Sequence, residues 1–396
     1  MSSLDRDHDR VTRRSFLKLS AGTTLACLGG WSGLAMAGSP SLPFPRPVGR
    51  RIAYPRPLRP GDIIGITAPS AGVPHAVEPR LQFCLEKLTA LGYRYRLGNC
   101  LLSDQMVSAP AAARAAELMH MLLDDSLAAI MPPWGGELLV DILPLLDFKT
   151  LARSRNPKWI IGYSDLSTFM LPYTLLTRIA TLHGSNLLEC PIQPTDTNLA
   201  YWNQVATLPA GSSFVQHAAS LYQKTDVDWA KHPEATAFDR TEPVAWKTLG
   251  HEDDPAYGTV FSGRLLGGTL DVIGTLTGTS YGPVEAFGRR YARTGLIVYF
   301  DNCDFNTAQY CRMLHQIRNA EWLKRANGVL VGRTAGEQLR EFTVRDALLD
   351  ALGDLSIPVI YDVDLGHLPP QLILVNGAFA TVRFSAAAPS VEQILA

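Results

Sequence analysis

From Arg56 to Cys190, short apolar runs alternate with stretches whose apolar positions recur at helical spacing, the pattern of strands and helices in turn. Ile63 to Thr67 is predicted as a strand ending in Ala68-Pro69-Ser70, and Leu81, Cys84, Leu85, Leu88 and Leu91 then mark a helix. A second strand is expected near Tyr93 to Leu97. Ser108-Ala109-Pro110 opens a helix through Leu123, with Ser108 as its cap. Ala128 to Met131 is the next strand, closing on Pro132-Pro133-Trp134-Gly135-Gly136, and Glu137 to Leu146 the next helix. The run Ile160-Ile161-Gly162-Tyr163-Ser164-Asp165 then ends a strand at a glycine and presents one serine before a helix from Leu166 to Arg178. The alternation predicts an α/β fold with a parallel sheet. It puts Ser164 at the C-terminal end of a strand, where open sheets of this kind place their sites.

From Pro191 to Tyr257 the periodicity fades into Thr, Asn, Ser, Pro and scattered tryptophans, which reads as a connector with little regular structure. A second unit begins with a strand at Thr259 to Leu266, followed by Gly267-Gly268 and a short helix. Strands at Leu296 to Phe300, Val329 to Val331 and Val359 to Tyr361 alternate with helices at Asn306 to Lys324 and Thr343 to Leu352. Strand-like runs near Gln371 to Val375 and Ala380 to Phe384 close the chain.

The N-terminus bears on compartment. Thr12-Arg13-Arg14-Ser15-Phe16-Leu17-Lys18 sets paired arginines before an apolar stretch that closes on Ala35-Met36-Ala37. Together these predict a twin-arginine export signal over residues 1–37 with its cleavage site. Such signals move folded proteins, so periplasmic or other exported action is expected. A proline-rich lead-in over 38–55 follows. Without the signal the chain has 31 Lys and Arg against 34 Asp and Glu, a formal charge of −3 that points to no nucleic-acid or anionic-membrane partner. Cys84, Cys100, Cys190, Cys303 and Cys311 are odd in number and lack CxxC spacing, so neither a disulfide framework nor a zinc site is expected. After the signal no apolar run reaches the ~20 residues of a membrane span.

Ser164 sits on a strand-to-helix turn, which exposes a hydroxyl and aims the next N–H at an oxyanion. A serine there also fits as a plain helix cap. As a nucleophile it needs a base, best a histidine held in one tautomer by a carboxylate. His367 lies on the loop Asp364-Leu365-Gly366-His367-Leu368-Pro369-Pro370, where it is exposed and positionable; His183 follows an apolar run and fits a partly buried role. Asp301 and Asp304 follow the strand ending at Tyr299-Phe300, and either also fits as a cap for the helix near Asn306.

These residues stand in a longer ordered set. Gly61-Asp62-x-Ile64-Gly65-x-x-Ala68-Pro69-Ser70, Arg114-Ala115-Ala116-Glu117-Leu118, Gly135-Gly136, Leu146-Asp147, Gly162-Tyr163-Ser164-Asp165, His183-Gly184, Leu266-Gly267-Gly268 and Gly366-His367 follow one another between Arg56 and Phe384. The set resembles the LD-carboxypeptidase family of serine peptidases, which includes the microcin C immunity hydrolases. The resemblance implies an N-terminal parallel-sheet nucleophile domain (56–190), a connector (191–257) and a smaller C-terminal α/β domain with barrel-like strands (258–396) that supplies acid and histidine. It implies Ser164 as nucleophile, His367 as base, Asp301 as acid with Asp304 in reserve, and the backbone N–H groups of Gly136 and Asp165 as the oxyanion hole. No cofactor and no metal are implied; a homodimer is.

Two positions depart from the family pattern. Asp301 stands where a glutamate is usual, so the histidine must come roughly 1.5 Å closer. Gly267-Gly268-Thr269 replaces Gly-Gly-Asn, which removes an amide that could order the site. The expected activity is hydrolysis of the bond to the terminal D-alanine of murein tetrapeptides. An immunity-type amidase acting on peptidyl or aminoacyl nucleotide analogues stays open, with Trp134-Gly135-Gly136-Glu137 and Leu145-Leu146-Asp147 on its side. So does a non-catalytic muropeptide-binding protein. For the substrate's free carboxylate, Arg312 and Arg333 are the candidates, and each also fits as a solvated surface arginine.

Overall fold

The computed structural model describes residues 51–192, 198–225 and 227–396. Residues 1–50, which include the expected export signal and most of the proline-rich lead-in, lie outside the described residues. The chain forms two α/β domains, each built on its own sheet.

The first sheet has six strands in the order Leu374–Asn376, Thr181–His183, Trp159–Gly162, Leu127–Ile130, Ile63–Ile66, Arg94–Leu97. The last five run parallel. Leu127–Ile130 and Trp159–Gly162 are buried at every residue, as their unbroken apolar sequences require of strands covered on both faces. Arg94–Leu97, with two arginines, is exposed along its whole length and forms the edge. The opposite edge, Leu374–Asn376, comes from the far end of the chain and pairs antiparallel with Thr181–His183, tying the two domains together.

The second sheet has eight strands: Ser213–His217, Ser390–Ile394, Phe379–Ser385, Gly258–Thr269, Leu296–Asp301, Ala326–Gly332, Val359–Val363 and Lys247–Thr248. The run from Gly258–Thr269 to Val359–Val363 is parallel and the flanking strands are antiparallel. Its two ends do not meet, so it is an open sheet and not the barrel-like arrangement expected; it is also the larger of the two. Two of its edge strands come from the stretch read as an irregular connector, which also carries the helix Trp202–Ala206.

Local departures from the expected elements have simple causes. The segment predicted as a helix over 137–146 is a 3₁₀ turn, Leu139–Leu145, followed by a four-residue helix, Phe148–Leu151. Pro144 lacks the N–H that an α-helix interior needs. Ser108 does not cap its helix: Ala111–Leu123 begins after Pro110, and the Ser108 hydroxyl donates to Ala68 O at 2.5 Å. The Arg114 and Glu117 side chains of that helix brace the loops at the C-terminal ends of the strands. Buried Arg114 donates to Pro69 O, Ala109 O and Leu138 O and pairs with Asp141 at 2.7 Å. Glu117 accepts from the Thr67 hydroxyl and the Asn99 N–H.

Candidate active site

Ser164 stands where the strand Trp159–Gly162 passes into the helix Ser167–Thr177 through one 3₁₀ turn. Its φ of 65° is a left-handed conformation that a non-glycine residue holds only when its surroundings enforce it. The turn presents Oγ to Nε2 of His367 at 3.0 Å. The other ring nitrogen, Nδ1, lies 2.6 Å from Asp301 Oδ2. An ionised carboxylate only accepts, so Nδ1 carries the ring proton and the neutral ring offers a lone pair to the serine hydroxyl.

The second domain delivers both partners. Asp301 ends the strand Leu296–Asp301 and is fully buried. His367 lies on the loop after Val359–Val363, which a buried ion pair holds in place. Arg333 Nη1 bonds Asp364 Oδ1 at 2.7 Å, while Nη2 donates to Leu368 O and Pro370 O. The other oxygen of Asp364 accepts from Trp246 Nε1 and Ala219 N, both at 2.9 Å. Arg333 is therefore not an exposed candidate for the substrate carboxylate; it clamps the histidine loop. Arg312 is exposed on the helix Thr307–Asn319.

The short aspartate reaches the histidine because Gly366 lets the loop come close. Its φ is +90°, and a Cβ there would lie 2.2 Å from Asp301 Oδ2. The second oxygen, Oδ1, accepts the Thr269 hydroxyl at 3.0 Å. Thr269 was not singled out for this role from the sequence; the signal was its coincidence with the shortened acid.

Burial opposes the charged form of His367, but Cys303 and the Asp301 carboxylate beside it both favour that form, and the pKa stands well above the ordinary value. Burial pushes the Cys303 thiol itself up to about 11. Asp301 is itself penalised by burial, and the imidazole brings it below the ordinary carboxylate value. Asp304 is exposed, its backbone N–H bonds the Asp271 carboxylate, and the helix cap expected of it is supplied by Asn306. His183 is buried with neither ring nitrogen hydrogen-bonded, edge-on to Tyr163 and Tyr299, and burial pulls its pKa down to about 4. It is not placed as the base.

The loop 132–136 lies across Ser164. A Cβ on Gly135 would lie 2.6 Å from Ser164 Oγ and 2.8 Å from Asp165 N. Gly136, at φ +142°, packs its backbone against Ser70 and Ala71. The Asp165 side chain is buried and accepts from Ser70 Oγ, Leu139 N and Thr168 Oγ1, fixing the turn from below. Tyr163 places its ring 4.9 Å from that of His367 and donates its hydroxyl to Glu189 at 2.6 Å.

The LD-carboxypeptidase N-terminal domain matches residues 64–184 and the family's C-terminal domain residues 262–382. The chain belongs to the LD-carboxypeptidase family. Within it, a Vibrio cholerae protein described as a carboxypeptidase is 25% identical over 347 residues, covering 84% of this chain and 95% of its own. A Bacillus subtilis protein described as a murein peptide carboxypeptidase is 25% identical over 83% of this chain and 91% of its own. The Escherichia coli microcin C7 self-immunity protein is 24% identical, over 83% and 92% respectively. Among solved structures, an MccF-like protein from Bacillus anthracis superposes with a TM-score of 0.70 at 21% identity, covering 86% of this chain and 99% of that one. LD-carboxypeptidase family membership makes the chain a peptidase by family.

Proposed function

We propose that this protein is an exported serine peptidase that hydrolyses the amide bond to the terminal D-alanine of murein tetrapeptides. The observation that carries the reading is the unbroken chain from Ser164 Oγ through His367 to Asp301, at 3.0 and 2.6 Å. His367 Nε2 takes the serine proton as Oγ attacks the carbonyl carbon. The oxyanion then forms toward the N–H groups of Gly136 and Asp165, each worth on the order of 3 kcal/mol in the transition state. The imidazolium, stabilised by Asp301, gives its proton to the departing D-alanine amine, leaving an acyl-enzyme on Ser164. Water, deprotonated by His367, releases the shortened peptide.

Each step uses the chain's own groups, with no metal or organic cofactor in the path. Export through the twin-arginine segment would bring the enzyme to wall peptides, and a homodimer is the assembly the family pattern suggests. The immunity-type amidase is the second reading. The microcin C7 self-immunity relative favours it; the export segment argues against it, because those substrates act inside cells.

The test is mass-spectrometric detection of D-alanine released from a murein tetrapeptide by protein starting at Gly38. Release that disappears in Ser164→Ala supports the reading. A folded protein that releases none, or releases it equally without Ser164, overturns it. Labelling by a serine-reactive phosphonate, absent in Ser164→Ala, separates a nucleophile from a binding-only protein.

A further inference from the structure

Away from the serine site, the outer face of the second domain brings three different metal-ligating side chains together. Cys311 and His315 stand four apart on the helix Thr307–Asn319, so both project from one face. Asp350, on the neighbouring helix Val344–Leu352, sets one oxygen between them. Oδ2 lies 3.3 Å from Cys311 Sγ and 2.7 Å from His315 Nε2, and the three ligand atoms lie within 4.8 Å of one another.

We propose that Cys311, His315 and Asp350 form a zinc site that cross-links these two helices. Zinc bonded to sulfur, nitrogen and oxygen at about 2.3, 2.0 and 2.0–2.2 Å in a tetrahedron separates its ligand atoms by roughly 3.3–3.6 Å. Asp350 Oδ2 already stands within that range of the sulfur, at 3.3 Å, and is drawn closer to the nitrogen, at 2.7 Å, by a hydrogen bond. Withdrawal of Oδ2 by less than about 1 Å opens the centre to an ion. The movable group is the exposed one, with the Asp350 side chain 59% accessible, while Cys311 is fixed by burial. Solvent on the Asp350 side supplies a water as the fourth ligand.

The donor set chooses the ion. A thiolate and an imidazole suit zinc, whereas calcium and magnesium take oxygen ligands. On binding, the Cys311 thiol proton leaves to solvent as the S–Zn bond forms. The His315 ring proton moves to Nδ1, freeing Nε2. The charges of the thiolate and carboxylate then balance the divalent ion. Cysteine spacing hides this set, because its third member lies 35 residues beyond the second. The helix it pins follows, after residues 302–306, the strand that ends in Asp301, so the ion would stiffen the domain that carries Asp301.

The purified protein, stripped with a chelator, is titrated with Co²⁺ and with Zn²⁺ alone. The expected result is one equivalent of Co²⁺ with a thiolate-to-metal charge-transfer band, displaced by Zn²⁺. Cys311→Ser should abolish the band. Asp350→Asn and His315→Gln, at exposed positions that leave the fold intact, should each weaken Zn²⁺ binding by at least about tenfold. Zn²⁺ should also raise the melting temperature of the wild type and not that of Asp350→Asn. Failure of the wild type to retain either metal on dialysis, or a band and affinity indifferent to His315→Gln and Asp350→Asn, overturns the proposal.

Discussion

Thr269 donates its hydroxyl to Asp301 Oδ1 at 3.0 Å, on the carboxylate oxygen opposite the one that bonds His367. The two departures from the family pattern thus meet in one hydrogen bond. The shorter Asp301 side chain is held by the residue at the position where the family pattern has asparagine, and the His367 loop closes the remaining distance. If this bond positions the acid, Thr269→Val should lower kcat by about tenfold, in keeping with the worth of a hydrogen bond to a charged group. Thr269→Ser should restore most of the rate, and equal loss in both variants would show that packing, not the hydroxyl, matters.

Asp301→Asn should lower kcat by about 10⁴-fold while leaving the fold and KM near wild type, because it presents the wrong hydrogen-bonding partner to Nδ1. Asp304→Asn should change the rate by less than about twofold, since Asp304 is exposed and, of the two acids, Asp301 is the one hydrogen-bonded to the imidazole. Steady-state kinetics on the two variants decides between the acids; the opposite ranking would transfer the role to Asp304.

The pH dependence follows from the same pair. His367 must be neutral to accept the serine proton, and Cys303 and Asp301 beside it hold its pKa well above the ordinary 6.5. Activity is therefore lost as pH falls through that raised value. kcat/KM, which reports the free enzyme, should show an acid limb centred above pH 6.5. In Asp301→Asn the carboxylate charge is gone and burial remains, so the limb of the residual activity should move to lower pH. A limb unchanged by that substitution would detach Asp301 from the imidazole.

How far the site could be read from the sequence depends on how local each feature is. The strand, turn and helix around Ser164 were legible because apolar periodicity switches from continuous to helical within a few residues, and a glycine marks the turn two residues before Ser164 and directly before His367. The strand Leu374–Asn376 was placed near its true position, but its crossing to the first sheet was not visible, since three residues carry no record of their partners 191 to 195 positions away. The connector's strands Ser213–His217 and Lys247–Thr248, five and two residues long, pair at the sheet's edges and are too short to set up an alternation. Arg333 shows the converse error: an arginine after a strand reads as exposed until its buried partner, Asp364, is located 31 positions on.

Gly135 tests the loop over the nucleophile. A methyl group there would sit 2.6 Å from Ser164 Oγ, so Gly135→Ala should shift loop or serine and lower kcat by about a hundredfold or more, as misplacements of this size do. The variant's melting temperature and its phosphonate labelling rate are measured together. Slower labelling at unchanged stability is expected; unchanged labelling would mean the loop yields without disturbing the serine.

Arg333 carries the last prediction, which concerns stability and the histidine loop at once. Both it and Asp364 are buried, at 5% and 0% exposure, and Asp364 would be left charged with only Trp246 Nε1 and Ala219 N as donors if the guanidinium were removed. Arg333→Leu should therefore cost about 3–5 kcal/mol in denaturant unfolding. It also releases the carbonyls of Leu368 and Pro370, immediately beyond His367, so turnover should fall even where the variant is folded. Because Asp364 without its partner is the costly group, adding Asp364→Asn to Arg333→Leu should recover part of the stability. It should not recover the rate, since the two carbonyls stay untethered. Stability and rate recovering together would instead make the ion pair a property of the fold with no separate hold on His367.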